Sequence, residues 1–221
     1  MNFKCPTCQR IKEPINAANL PGKLRRHKDF SDCVAVDLFE LADVRGNRKT
    51  FLNCLDLASR FQLVVPVDSK HPAVVWQRFL ESWVSWAGPP HEMLCDMGGE
   101  FKREFASEVE SMGIQYRTTA AISPTQNAAC ERAGGAWKLH AKALLDEFSI
   151  TFVDQSRLWW LTCVVNWAVN SMVDASGFSP SQWVLGRGIK LPYDMLSQSA
   201  RLSLHTRHAT CLLYTSDAAD E

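Results

Sequence analysis

Asp37, Asp96 and Glu131 stand where a solvated surface charge does not belong, and thirty-five positions separate the last two. Asp37 interrupts the apolar, strand-length run Cys33-Val34-Ala35-Val36-Asp37-Leu38-Phe39. An unpaired carboxylate buried there costs several kcal/mol, about the penalty of a desolvated charge, and a bound cation removes it. Asp96 closes the short run Met93-Leu94-Cys95 and precedes Met97-Gly98-Gly99, so it belongs at the end of a second strand. Ligands bind at strand ends in open α/β sheets. Two divalent ions about 3.5–4 Å apart clamp the attacking and leaving oxygens of an in-line phosphate displacement, and they take hard oxygen ligands. One acid in mid-strand, one ending a neighbouring strand and one lowered from a helix meet that need. The three are therefore candidate catalytic residues and ligands of two Mg²⁺ or Mn²⁺ ions. Singly, each of the 24 Asp and Glu is more simply a surface charge, and the joint pattern carries the reading.

Further residues bear on the same chemistry. Lys138 and Lys142 follow Glu131 by seven and eleven positions, which returns them near its helix face. They either hold DNA phosphates beside the metals or are exposed lysines of an amphipathic helix. Asp56 is a competing strand carboxylate, expected to be structural and to pair with Arg60. Cys5 and Cys8 have zinc-ligand spacing, but a structural zinc takes four ligands and His27 is the only early histidine, so the pair is half a site or incidental.

The elements that must position these groups are legible from punctuation. Strand-like runs Cys33 to Leu41, Thr50 to Leu57 and Phe61 to Val67 are joined by short turns, which predicts an antiparallel meander. Pro72 opens a helix with Val75, Phe79 and Trp83 on one stripe, stopped by Gly88-Pro89-Pro90. A strand from His91 to Cys95, a helix from about Lys102 to Met112 and a strand from Ile114 to Thr118 follow. Asn127 can cap the helix that carries Glu131 toward Phe148. Gly134-Gly135 weakens that helix by roughly 1 kcal/mol per glycine, with no reason visible beyond close approach of another backbone. A helix from about Asp154 to Val173 is apolar nearly all round, so it is expected to be buried on two sides, in the core or against a second copy. The fold class is α/β, a five-stranded mixed sheet with helices on both faces.

Composition sets the limits. At 221 residues, 46% hydrophobic and 22% charged, the chain has room for one large domain with appendages. The stretch Leu158 to Val169 is too short to cross a bilayer, which needs roughly 20 residues, so no membrane partner is expected. Eight cysteines are mostly scattered singly through apolar segments, as in an intracellular protein with reduced thiols. The net charge of zero conceals an arm: residues 1–30 hold seven Lys and Arg against Glu13 and Asp29. That arm suits phosphate contact or is a solvated linker.

From about Cys5 to Pro192 the sequence resembles the integrases of retroviruses and long-terminal-repeat retrotransposons. The resemblance rests on Val36-Asp37-Leu38, on Asp56-Leu57-Ala58-Ser59-Arg60-Phe61, on Asp96-Met97-Gly98-Gly99-Glu100-Phe101, and on Ser123-Pro124 through Asn127 to Glu131-Arg132. Phe178-Ser179-Pro180 and Leu185-Gly186-Arg187 resemble the elements that end these cores. Ala128, Cys130 and Gly134-Gly135 depart from the pattern. The resemblance implies an RNase H-like core, with Asp37, Asp96 and Glu131 as the metal triad of a polynucleotidyl transferase that processes DNA 3′ ends and transfers strands. It implies DNA contact by Asn127 and Arg132 beside Lys138 and Lys142, a homo-oligomer on element ends and a target duplex, and action in the nucleus. It also implies that Cys5 and Cys8 survive from a zinc module completed only in a longer parent chain. The organisation expected is a zinc-module remnant at 1–12, a basic linker at 13–30, the core at 31–192, an extension at 193–210, and at 211–221 a tail resembling adapter read-through. Two other functions compete: an inactive, domesticated DNA-binding or dimerising remnant, and a nuclease of the RNase H type.

Overall fold

The computed structural model describes residues 27–96, 98, 101, 104–118, 128–174 and 177–189. Strands β1 (Cys33–Ala42), β2 (Arg48–Asp56) and β3 (Gln62–Val67) form the expected meander, each boundary within two residues of its sequence signal. The first turn is built on Asp43, whose carboxylate accepts from the Arg45 and Asn47 backbone amides and the Asn47 side chain, while Gly46 takes φ 85°. Those bonds supply the turn with partners that the ladder cannot.

Helix α1 occupies 72–87, strand β4 Glu92–Cys95, helix α2 Glu104–Ser111 and strand β5 Gln115–Thr118. Helices α3 (Ala128–Phe148), α4 (Gln155–Ser171) and α5 (Pro180–Leu185) complete the described residues. The sheet has five strands in the order β3-β2-β1-β4-β5, antiparallel across β3-β2-β1 and parallel across β1-β4-β5. Alternation along β1 sends Val34 and Val36 to one face, where Val75, Phe79 and Trp83 of α1 and Phe105 and Val109 of α2 cover them. Phe39 and Leu41 go to the other, against Trp137, Ala141 and Leu144 of α3 and Leu158, Leu161 and Val165 of α4. This is the mixed sheet with helices on both faces that the sequence implied.

One element departs from expectation. Helix α1 is not uniformly α: Leu80–Val84 winds as a π-turn between α-helical Pro72–Phe79 and Ser85–Ala87. The wider turn accommodates Trp83 and Trp86 together against Phe30, with ring centroids 5.8 and 5.7 Å away. Helix α4 has one side in the core. Its inner stripe is buried, whereas Trp159, Trp160 and Trp167 are 41, 44 and 37% exposed. Period-based reading cannot separate those faces, because apolar residues occupy both.

The same helix closes the outer edge of β3. Asn166 accepts from the Val64 amide and donates to its carbonyl, and Asn170 does the same for Gln62. The two carboxamides replace the partner strand that an edge lacks. None of the described helices is long and apolar enough to cross a membrane.

Candidate active site

The register of the central strands places the first two acids side by side. Val36 pairs with Cys95 in the parallel β1-β4 ladder, so Asp37 and Asp96 are the next residue along each strand. Asp96 leaves β4 and turns, its Oδ1 accepting from the Gly98 amide at 2.9 Å. Across β2, Asp37 faces Asn53.

Glu131 arrives in the first turn of α3, where the unsatisfied N–H groups of a helix start favour negative charge. The helix crosses β1 and β2 closely because residue 134 has no side chain. A Cβ there would stand 3.2 Å from Asn53 Nδ2 and 3.4 Å from Phe39 Cδ1. Gly134 is therefore a contact glycine, while Gly135 faces open space. Cys130 fills the niche before the acid: its thiol is buried, lies 3.6 Å from the Ala35 carbonyl and is held protonated by burial.

Burial and like charge single out one of the three acids. The Asp37 carboxyl is pushed up from 3.8 to about 6, first by burial and then by the negative charge of Asp96. A hydrogen bond from the Leu38 amide works against the rise, Glu131 adds to it, and Lys138 opposes it. One carboxyl thus feels both others, a crowd of like charge that a divalent cation would neutralise. The donor set, carboxylate oxygens alone, suits a hard cation such as Mg²⁺ or Mn²⁺.

Of the basic residues, Lys138 lies beside this group, its Nζ 5.2 Å from the centre of the Phe39 ring. Arg132 and Lys142 are exposed on α3. Asn127, Cys5 and Cys8 lie outside the described residues, as do the remnant at 1–12, most of the linker at 13–30 and everything beyond residue 189.

Asp56 is structural, but its partner is not Arg60. The buried carboxylate accepts from the Ser31 amide at 2.9 Å and from the Ser59 amide and hydroxyl at 2.6 Å. The chain turns at Arg60 with φ 63°, which puts Ser59 and not the guanidinium in reach. Among the described residues His27, Cys33 and Glu92 also come within 4.8 Å of one another, at the start of β1 and β4. Glu92 there already bonds the Arg117 guanidinium and sits 3.6 Å from the Cys33 thiol, so its charge is met without a metal.

Asn53 is the site residue that pattern reading passed over. Its Nδ2 donates to the Cys130 carbonyl at 3.0 Å and approaches Cys130 Sγ at 3.3 Å, and its Oδ1 accepts from Gln62 Nε2 at 2.8 Å. The available signal was an amide inside the apolar run Phe51-Leu52-Asn53-Cys54-Leu55.

Several solved structures share this architecture. A chain of the simian T-cell lymphotropic virus intasome in complex with PP2A regulatory subunit B56 gamma superposes with TM-score 0.65 at 17% identity. The match covers 80% of this chain and 62% of that one, so this protein spans less than two thirds of its length. The HTLV-2 integrase catalytic core domain in complex with magnesium matches in its trimeric form with TM-score 0.59 and 20% identity, over 72% of this chain and 99% of that one. Its dimeric form matches with TM-score 0.57 and 19% identity, over 70% and 97%. No curated protein sequence matches the chain. Over residues 31–124 the chain matches the integrase core domain family, and its fold is the RNase H-like fold of retroviral integrase catalytic cores.

Proposed function

We propose that this chain is the core of a retrotransposon integrase, a polynucleotidyl transferase that trims DNA 3′ ends and joins them to a target duplex. The observation that carries the reading is the β1-β4 register, which sets Asp37 beside Asp96, with Glu131 in the first turn of the helix that crosses β1. Strand β1, the end of β4 and one helix supply a carboxylate each, and the like charge acting on the Asp37 carboxyl is what a divalent cation would neutralise. Asp37, Asp96 and Glu131 would hold the Mg²⁺ or Mn²⁺ ions. Such ions supply charge neutralisation at phosphate and acidify a bound water or hydroxyl.

The protein's own groups orient the DNA. Lys138, steadied over Phe39, offers a cation beside the acids for a phosphate oxygen. Arg132 and Lys142, exposed on the same helix, extend that contact, and Asn127, four positions before Glu131, touches the DNA end. Binding is then backbone-driven and weakens steeply with salt. The partner on the protein side is a second copy of the chain, seated on the exposed tryptophans of α4; sedimentation should show a species larger than a monomer. The HTLV-2 cores were solved in trimeric and dimeric forms, which supports the same reading.

Asp96→Asn tests the site. It should abolish Mg²⁺-dependent nicking of duplex DNA while circular dichroism and the melting temperature stay those of a folded protein. Nicking that survives the substitution refutes the assignment.

A further inference from the structure

We infer that Asn53 is a positioning residue, fixing Glu131 against Asp37 through a chain of buried amides that holds helix α3 at two points. The inference rests on the proposed metal site and adds the residues that set its geometry.

Asn53 is fully buried in the interior strand β2 and lies directly opposite Asp37 in the β1-β2 ladder. Its carboxamide does not turn to that acid. It spans to α3, donating to the Cys130 carbonyl, one residue before Glu131. Within an α-helix that carbonyl also accepts from the amide of residue 134, and residue 134 is the glycine whose missing Cβ leaves room for Nδ2. Asn53 and Gly134 thus form one device: the first reaches the helix start, and the second opens the path.

The opposite end of the amide is anchored in turn. Asn53 Oδ1 accepts from Gln62, whose backbone is bonded on both groups by Asn170, and Asn170 donates to the Asn166 carbonyl at 2.9 Å. Asn166 Oδ1 then accepts from Trp137 Nε1 at 2.9 Å. Trp137 is back on α3, seven residues and about two turns beyond Cys130. A helix attached at two points on one face can neither slide along its axis nor roll about it. Cys130 is buried against β1 and Glu131, the next residue, is exposed, so the amide bond at Cys130 sets where the backbone of that acid stands relative to Asp37. Buried amides are costly unless every group is bonded, so this circuit also specifies one arrangement over its neighbours.

The test uses the full 221-residue chain. Manganese binding is measured by calorimetry for the unaltered protein, Asn53→Leu, Gln62→Leu and Asp96→Asn, with melting temperature recorded for each. Asn53→Leu should remain folded and bind Mn²⁺ about tenfold more weakly, the usual effect of removing a group that orients a ligand. The Mg²⁺ concentration for half-maximal nicking should rise by the same factor, with the rate recovering at saturating Mg²⁺. Gln62→Leu, which frees Asn53 Oδ1 but keeps the bond to Cys130, should weaken Mn²⁺ binding less. Lower thermal stability with unchanged Mn²⁺ affinity in Asn53→Leu means a purely structural amide and overturns the inference. If Asn53→Leu fails to fold, Gln62→Leu and Gly134→Ala decide, and unchanged Mn²⁺ affinity in both overturns it. Asp96→Asn separates the two levels: Mn²⁺ binding that survives there sinks the metal site itself, whereas loss there beside unchanged affinity in Asn53→Leu sinks only the positioning role.

Discussion

Neutralising Asp37 should make the metal-free protein more stable while removing its metal site. The carboxyl is lifted from its ordinary 3.8 to about 6 by burial and by Asp96. The folded protein therefore holds the proton more tightly than the unfolded chain. The stability this proton provides is fully present below pH 3.8 and is lost as pH rises through about 6. At 1.36 kcal/mol per pKa unit the upper bound is about 3 kcal/mol, and partial exposure of the group reduces it to about 2. Asp37→Asn keeps the shape and an oxygen for the Leu38 amide but carries no charge. Its gain over the unaltered protein should be about 2 kcal/mol at pH 8 and near zero at pH 4. For a domain of this size that corresponds to roughly 4–8 °C in melting temperature. The assay is thermal unfolding in a chelator at both pH values, repeated at pH 8 with excess Mg²⁺. Magnesium should raise the melting temperature of the unaltered protein and leave that of Asp37→Asn unmoved. A gain equal at pH 4 and pH 8, or a variant less stable at pH 8, would refute the argument that burial and like charge lift this carboxyl.

The neighbouring glycines should respond in opposite ways. Gly135→Ala, facing open space, should raise stability by about 1 kcal/mol in denaturant unfolding, and Gly134→Ala should forfeit that gain against Asn53 and Phe39. Equal gains at both positions would contradict the close helix-sheet approach. Asn166→Leu leaves the Val64 amide and carbonyl and the Trp137 indole N–H without partners, and should cost on the order of 3 kcal/mol by the same measurement. Among the described cysteines, a thiol reagent at pH 8 should modify half-buried Cys163 first. Cys33, Cys54, Cys95 and Cys130 are buried, with thiols pushed up by desolvation, Cys33 to about 12. Peptide mapping that finds Cys54 labelled as fast as Cys163 would contradict the packing.

Asp37 was legible in the sequence because a charge inside Cys33–Phe39 violates the polarity of its surroundings, and Asp96 because Gly98 follows the end of its strand. Strands and helices were legible where Gly46, Pro72 and Gly88 punctuate the apolar runs. What escaped depends on register or on contacts distant in sequence. Asn53 gains meaning only once β2 is aligned with β1, and Asn166 only once the edge of β3 lies beside α4. The Asp56 partner was misread because the nearest cation in sequence is not the nearest donor in space. The π-turn leaves no mark in a residue pattern spaced for an ordinary helix.

The asparagine pair that closes β3 also governs how these molecules meet one another in a crowded solution. Outward-facing groups recur at every second residue along a border strand, here Gln62, Val64 and Pro66. The first two are occupied by Asn170 and Asn166, and the third has no N–H to donate. An incoming extended peptide finds no template there on which to grow a cross-β stack, and on the far side β5 offers only four residues. Aggregation of this protein through that border should therefore require α4 to detach first, which makes release of the tryptophan-bearing helix the step that admits fibril formation.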